Sequence, residues 1–172
     1  SNLDVNSTGE KDVQTFCRET GCIAIDPIHT EWGFPSLLEA EQLLFERAFK
    51  SPGVTHAWLV SQDTAPCVSA EELLSFCSGQ LKGRSLINAA CNVRLPLESR
   101  EHQQVEGVPL NGIVSAGCQF LVLDRSSYSV VAGPLRRWVR ASKDREYLLL
   151  WAPDQWVLQT LVVRFGRCIR GV

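Results

Sequence analysis

The sequence contains no Met, and it has no apolar run of the length that a membrane-spanning helix requires, about 18 residues. Residues 1–10 are polar, unlike the apolar centre of a secretory signal peptide. We therefore expect no transmembrane segment and a cytoplasmic location. Because even an initiator Met is missing, we also expect a trimmed or tagged fragment in which Ser1 and Asn2 are a cleavage scar.

Motifs of common enzyme chemistry are missing as well. The stretch SGQLKGRS has Lys82 and two glycines but lacks the spacing of a phosphate-binding loop, and no G-x-S-x-G turn is present. A Cys–His nucleophile pair would need Cys77 or Cys91 to lie beside His56 or His102, and sequence alone does not show such proximity. The sequence favours a non-enzymatic protein, and a Cys-dependent enzyme is the least favoured alternative.

The seven cysteines are an odd number, and most lie beside apolar residues, as in LSFCSG and NAACNV. This pattern is typical of buried free thiols in a reducing compartment rather than of a disulfide framework. Cys17 and Cys22 are separated by four residues and lack a second ligand pair, and the chain has only three His. The sequence therefore does not favour a zinc site, and we expect no metal and no other cofactor.

Length and composition indicate one domain. The chain has 172 residues, of which 45% are hydrophobic and 21% charged, which is ordinary for a globular domain. A chain of this size buries roughly 70% of its unfolded surface, so its core needs no disulfide or metal. We expect a disordered or tag-derived tail over residues 1–15 and a single domain over residues 16–172.

Charge is unevenly distributed along the chain. Residues 124–172 contain nine Lys and Arg against four Asp and Glu, a net charge of +5, and since the whole chain carries −2, residues 1–123 carry −7. A basic C-terminal third favours an acidic partner surface, such as a protein or a phosphoinositide headgroup. Nucleic acid is less favoured, because the basic stretch RRWVRASKDR comes with no RNA-binding motif. The other interpretation is that these charges line solvated strand faces.

Three helices are predicted from the spacing of apolar residues and from capping signals. The first begins at Ser36, with Glu39 completing a capping box, and ends at a Ser-Pro-Gly stop. The second covers residues 70–77 behind the N-cap Ser69. In the third, apolar residues over 156–165 recur at helical spacing.

The remaining pattern is β-like, with short apolar stretches between glycine, proline or polar turns. GVTHAWLVSQD is predicted as a strand, and SLINAACNVRLPLE as a strand or a helix leading into one. Further strands are predicted over residues 112–115, 119–124, 129–132, 137–141 and 146–152. This spacing is typical of an antiparallel meander. The predicted fold class is α+β, a central antiparallel β-sheet (meander) with helices packed on its faces.

The order of elements over residues 53–170 resembles the profilin family. GVPLNG matches the family's glycine-containing entry to a strand, and CQFLVLDR matches the strand itself. YSVVAGPLRR and RWVRASKDREYLLLW take the places of the following strands, and DQWVLQTLVVRFGRCI takes that of the C-terminal helix. The resemblance implies a profilin-like fold and a non-enzymatic, cytoskeleton-associated protein that binds monomeric actin.

The predicted N-terminal helix departs from the profilin pattern, because SLLEAEQLLFERAFK has neither the Trp nor the Tyr that helps to bind proline-rich ligands. Trp32, Trp58 and Trp156 could rebuild such a groove, although core packing is the favoured use of each. LLFERAFKSPGVTHAWLVSQD also resembles the roadblock and longin modules. That second resemblance implies a dimeric scaffold, paired through sheet edges, for GTPase, motor or trafficking complexes.

The profilin resemblance implies a partner-binding surface on the later strands and the closing helix, whose basic residues are Arg125, Arg136, Arg137, Arg140, Lys143 and Arg164. In an extended strand side chains alternate in direction, so Arg136, Trp138 and Arg140 would share one face. The favoured interpretation exposes Trp138 between the two arginines, as in an interaction hot spot. The alternative buries Trp138 and makes the cluster structural.

Overall fold

The structure is a computed structural model, and it describes residues 7–60, 64–94, 104–105, 108–109, 113–143 and 155–170. The helices are α1 (Ser7–Thr20), α2 (Pro35–Lys50), α3 (Ala70–Gly79), α4 (Arg125–Lys143) and α5 (Val157–Phe165). The strands are β1 (His56–Leu59), β2 (Ser85–Arg94), β3 (Gln104–Val105), β4 (Val108–Pro109), β5 (Ile113–Asp124) and β6 (Cys168–Arg170). The fold class is α+β.

Four strands form one sheet in the order β1-β5-β2-β6. β5 pairs antiparallel with both β1 and β2, whereas β6 pairs parallel with β2. β3 and β4 form a separate two-stranded antiparallel sheet. The main sheet therefore consists of three antiparallel strands and one short parallel strand, and β5 connects its two sides.

Helices α2, α4 and α5 pack on one face of this sheet. Ile87, Leu121 and Leu123 point toward the helices and are buried. They join a single core cluster with side chains of the three helices, among them Leu38, Phe45, Phe49, Tyr128, Val131, Leu135, Trp138, Leu158 and Val162. Each fully buried aliphatic side chain in this cluster stabilises the fold by about 2 kcal/mol. This layer therefore holds the sheet and the helices together.

The three helices that the sequence predicts are confirmed as α2, α3 and α5. α3 has the expected capping box, in which the Ser69 hydroxyl accepts from the backbone N–H of Glu72 and the Glu72 carboxylate accepts from the N–H of Ser69. The predicted N-cap of α2 is wrong by two residues, because Phe34 is the N-cap and Pro35 lies in the first turn. A proline costs nothing there, since the first helical N–H groups have no partner within the helix.

Helix α4 corrects the prediction of two strands over residues 129–132 and 137–141. Its buried residues Tyr128, Val131, Leu135 and Trp138 recur every three or four positions, which is the period of a helix with one buried face. Pro134 lies inside this helix and removes one backbone hydrogen bond. Glycine, proline and β-branched residues are local signals for turns and strands, but packing of the buried face determines the outcome.

The predicted meander is also wrong. Residues 113–124 form one continuous strand, β5, without the turn expected at Gly117, and the next two predicted strands are helical. Pairing in β5 continues past Gly117 because β2 supplies a long partner, with irregular register at two points. The strand predicted over residues 146–152 lies outside the described residues.

A helix, α1, occupies residues 7–20, whereas the sequence predicts a disordered tail over residues 1–15. Its described apolar side chains Val13 and Phe16 are exposed, so tertiary packing contributes little to it. Arg18 lies in its last turn, where a cation interacts favourably with the helix dipole. Residues 1–6 lie outside the described residues.

Candidate functional site

The sheet face opposite α2, α4 and α5 carries large apolar side chains that are partly exposed. Trp58 on β1 is directly opposite Val122 on β5, and Phe120 points the same way because it lies two residues along β5. Val122 is buried, but Trp58 is 42% exposed and Phe120 is 45% exposed. We use the term outer apolar patch for Trp58 and Phe120 together with the exposed residues Val60 and Leu74.

Helix α3 covers part of this face and orients Trp58. The indole Nε1 of Trp58 donates a hydrogen bond to the Sγ of Cys77 at 3.4 Å. Leu81, just beyond α3, is fully buried. Leu74 lies one helical turn before Cys77, on the same side of α3, and is 69% exposed. The outer apolar patch therefore extends from α3 to the centre of the sheet.

Strand β1 is also an edge of the sheet. It pairs with β5 on one side, and within the described part of the chain no strand pairs with its other side. An edge strand presents backbone N–H and C=O groups to which another strand can bond. Trp58 belongs to both β1 and the outer apolar patch, so the edge and the patch are adjacent.

A cleft of about 620 Å³ lies at one end of this face, lined by residues that include His56, Cys77, Lys82, Asp124, Ser126 and Ser129. The structure thus brings one of the candidate Cys–His pairs to the same cleft. However, His56 Nδ1 lies 3.1 Å from the Thr55 hydroxyl and Nε2 lies 3.3 Å from the carbonyl of Leu81. Both ring nitrogens of His56 therefore have polar neighbours other than Cys77.

Asp124 lines the cleft and caps helix α4. Its carboxylate accepts hydrogen bonds from the backbone N–H groups of Ser126 and Ser127, at 3.2 and 2.9 Å, and from the Ser126 hydroxyl at 2.7 Å. Burial acts to raise the pKa of Asp124, but the hydrogen bonds from these serines outweigh it, so the pKa is lowered. The folded state therefore prefers the ionised carboxylate.

We expect Asp124→Ala to lower the free energy of unfolding by about 1–2 kcal/mol at neutral pH, because two N–H groups of α4 lose their cap. The folded pKa lies below the unfolded value of about 3.9, so this stabilisation is complete above that value and is lost as pH falls through the folded pKa. Urea unfolding of both proteins from pH 7 down to pH 2 measures it. A difference that stays constant below pH 4 would contradict the role of the ionised form.

The basic residues predicted to bind a partner do not form one continuous exposed surface. Arg136, Arg137, Arg140 and Arg164 are exposed, and Lys143 ends α4. Arg136 forms a salt bridge of 3.4 Å with Glu46 of α2. Arg125 is half-buried and donates hydrogen bonds to backbone carbonyls at the end of α2 and just beyond it. Three of the predicted arginines therefore remain together on the exposed side of one helix.

The favoured interpretation of Trp138 is wrong. Trp138 is only 5% exposed, and its ring packs edge-on against Trp156 with centroids 5.8 Å apart. In a helix, positions 136, 137 and 140 share the solvent side while positions 138 and 139 both face inward, as observed. The alternative, in which Trp138 is structural, is confirmed.

The sequence-based expectation of core packing holds for Trp156, which is buried, but not for Trp58 or Trp32, which are both exposed. One signal in the sequence could have indicated this outcome for Trp58. Apolar residues occupy consecutive positions from Ala57 to Val60, so both faces of β1 are apolar. Helices cover only one of these faces completely.

Among the described residues, no group of three or more His, Cys, Asp or Glu side chains is placed to hold a metal ion. None of the helices in the described ranges is both long and apolar enough to cross a bilayer. No family model matches this chain, and neither a curated protein nor a solved structure matches it. Membership of the profilins, or of the roadblock and longin modules, is therefore not shown.

Proposed function

We propose that this chain is a protein-binding module that holds an apolar, extended segment of a partner protein across the outer apolar patch, alongside β1. The observation that carries the proposal is the exposure of Trp58 and Phe120 on the side of the sheet that the three core helices leave open. Large aromatic side chains of this kind are the commonest anchors of protein interfaces.

The arrangement of the patch favours a protein rather than a small molecule. Its apolar residues lie on a strand edge, the centre of the sheet and a helix, so they form a surface instead of an enclosed cavity. The Cys77 contact holds the Trp58 indole in place before binding, which lowers the entropy lost when a partner binds. An added segment could bond to the β1 backbone while its side chains contact the patch.

An actin monomer is the first partner to test, because the sequence over residues 53–170 resembles the profilins, even though residues 125–143 form α4 in place of the strands that the resemblance implies. The exposed arginines of α4, Arg137 and Arg140, lie on the other side of the sheet and could bind an acidic surface, including a phosphoinositide headgroup. Substitutions distinguish binding at the outer apolar patch from binding at the arginines of α4. Reversing the charges of Arg137 and Arg140 should change the affinity at the patch by less than about twofold. Only the rate of association should fall, by an amount that depends on salt concentration.

A photo-reactive amino acid in place of Leu74, which belongs to the outer apolar patch and is 69% exposed, tests the proposal in native extract. We expect it to form a defined adduct with a partner, and the same group at Val130, which is exposed on α4, to form none. With that partner or with purified actin monomers, Trp58→Ala should weaken binding by more than about 2 kcal/mol, roughly 30-fold, and Val130→Ala by less than about twofold. Equal labelling at both positions, or unchanged affinity of Trp58→Ala, would contradict the proposal.

A second candidate function is favoured by the position of β1 at the sheet edge. Two copies could pair through this edge, as the roadblock and longin resemblance implies, and form a dimeric scaffold. Light scattering at micromolar concentration distinguishes the two. A mass near 19.1 kDa is expected for the partner-binding monomer, and twice that value would favour the scaffold.

A further inference from the structure

Two cysteines lie in contact at the C-terminal end of α1. Cys17 is in the last turn of the helix, and Cys22 follows Gly21, whose φ is +71°. This left-handed conformation, which glycine adopts at little cost, turns the chain back toward the helix. The two Sγ atoms are 2.9 Å apart, so a shift of about 0.9 Å would bring them to the length of a disulfide bond, about 2.0 Å.

The two thiols differ in acidity and in access. The hydrogen bond between them raises the pKa of Cys17 and lowers that of Cys22, and the Thr20 hydroxyl adds to the lowering at Cys22. Cys22 is exposed, whereas Cys17 is half-buried. Since the thiolate is the reactive form of cysteine, Cys22 has the properties of an attacking thiol and Cys17 those of a resolving thiol.

We propose that Cys17 and Cys22 are a redox-active dithiol, which exchanges with small disulfides of the glutathione type and closes to an intramolecular disulfide. The site is independent of the outer apolar patch, and it assigns a role to residues that composition alone presents as inert core thiols.

The exchange takes place in two steps. The Cys22 thiolate attacks one sulfur of the small disulfide, which forms a mixed disulfide and releases the first small thiolate. Cys17 then gives up its proton, and its thiolate attacks the Sγ of Cys22 and displaces the second small thiolate. In total, two protein thiols lose two electrons and two protons, and the small disulfide gains them to become two thiols.

Closure of this disulfide would restrain the junction between α1 and the segment that follows it. That segment lies along α2, where Ala24 and Ile28 line a cavity of about 410 Å³ together with Leu43 and Arg47. The disulfide would tie the last turn of α1 to the first residue after Gly21. The oxidised chain therefore differs from the reduced one in how freely α1 can change direction relative to α2.

Equilibration of the folded protein in glutathione buffers tests the proposal, with acid quenching, alkylation and mass spectrometry of the peptides that contain Cys17 and Cys22. We expect one intramolecular disulfide between them, formed in proportion to oxidised glutathione over the square of reduced glutathione. In Cys17→Ser, Cys22 should stop at the mixed disulfide with glutathione. In Cys22→Ser, Cys17 should react about tenfold more slowly than Cys22 does in the first variant.

Two controls make the result specific. Cys67 is exposed and serves as an unpaired reference thiol in the same molecule, which should form only mixed disulfides. Gly21→Ala should reduce closure roughly tenfold at a given glutathione ratio, because alanine is strained in the left-handed conformation. Equal rates for the two Ser variants, or mixed disulfides at Cys17 and Cys22 without closure in the wild type, would overturn the proposal.

Discussion

Arg125→Ala should lower the free energy of unfolding by about 3 kcal/mol, because one guanidinium supports the end of α2 from the start of α4. Nε of Arg125 donates to the carbonyl of Val54 at 2.8 Å, and Nη1 donates to that of Phe49 at 2.9 Å. Nη2 donates to the carbonyl of Ser51. The guanidinium also lies 5.3 Å from the centroid of the Phe49 ring.

These contacts give Arg125 a specific structural role. Carbonyl groups at the end of a helix lack partners within the helix and form the negative end of its dipole, so a cation there contributes both hydrogen bonds and charge. A planar guanidinium can bond to three carbonyls at once, which an ammonium cannot do with the same geometry. Arg125→Lys should therefore recover only part of the loss, about 1 kcal/mol.

Guanidinium chloride unfolding of Arg125→Ala measures this effect, with Arg140→Ala as the matched control. Arg140 is exposed on the same helix, and its removal should change the free energy of unfolding by less than about 0.5 kcal/mol. If Arg125→Ala instead unfolds like the wild type but no longer binds a partner, Arg125 is the binding residue that the sequence predicts, and its structural role is wrong.

The role of Arg125 also shows what the sequence could not provide. Its three acceptors lie 71, 76 and 74 positions earlier in the chain, and no local pattern indicates such contacts. Helices α2 and α3 could be predicted because their apolar spacing and stop or capping signals are local. The α+β class follows from helices and strands that have such local signals. The order of the strands instead depends on pairing between segments that are far apart in the chain.

Helix α4 replaces two predicted strands, although a signal for a helix is present in the sequence. As a strand, residues 136–140 present a conflict, because Trp138 and Val139 point to opposite faces while both are suited to burial. As a helix, they share the buried side and the three arginines share the other, as observed. An apparent conflict in burial along a strand is therefore itself an indication that the period is helical.

The outer apolar patch could not be predicted for a different reason. Trp58 is suited equally to a core or to an interface, and the outcome depends on how much of the sheet the helices cover. That coverage follows from the position of α3, in which no residue is buried. Local signals therefore predict that β1 is apolar on both faces, but only the packed structure identifies the face that is open.

Trp138→Ala should be the most destabilising of the substitutions considered, at about 4 kcal/mol, because it removes a buried indole from the centre of the helical layer. Trp138 packs edge-on against Trp156, at an interplanar angle of 88°, and both belong to the core cluster with Leu135 and Leu158. Such aromatic pairs contribute about 1 kcal/mol beyond the area that they bury.

Trp58→Ala is the matched control, since it removes the same side chain from the opposite face of the sheet. It should lower the free energy of unfolding by about 2 kcal/mol, roughly half the loss in Trp138→Ala, because Trp58 is 42% exposed. Chemical unfolding of both variants, followed by partner binding under native conditions, separates the two roles. Trp138→Ala should lose more stability and, while folded, keep its affinity, whereas Trp58→Ala should lose less stability and most of its affinity. A Trp138→Ala variant that folds as stably as the wild type but does not bind would place the interaction surface on α4 instead of on the outer apolar patch.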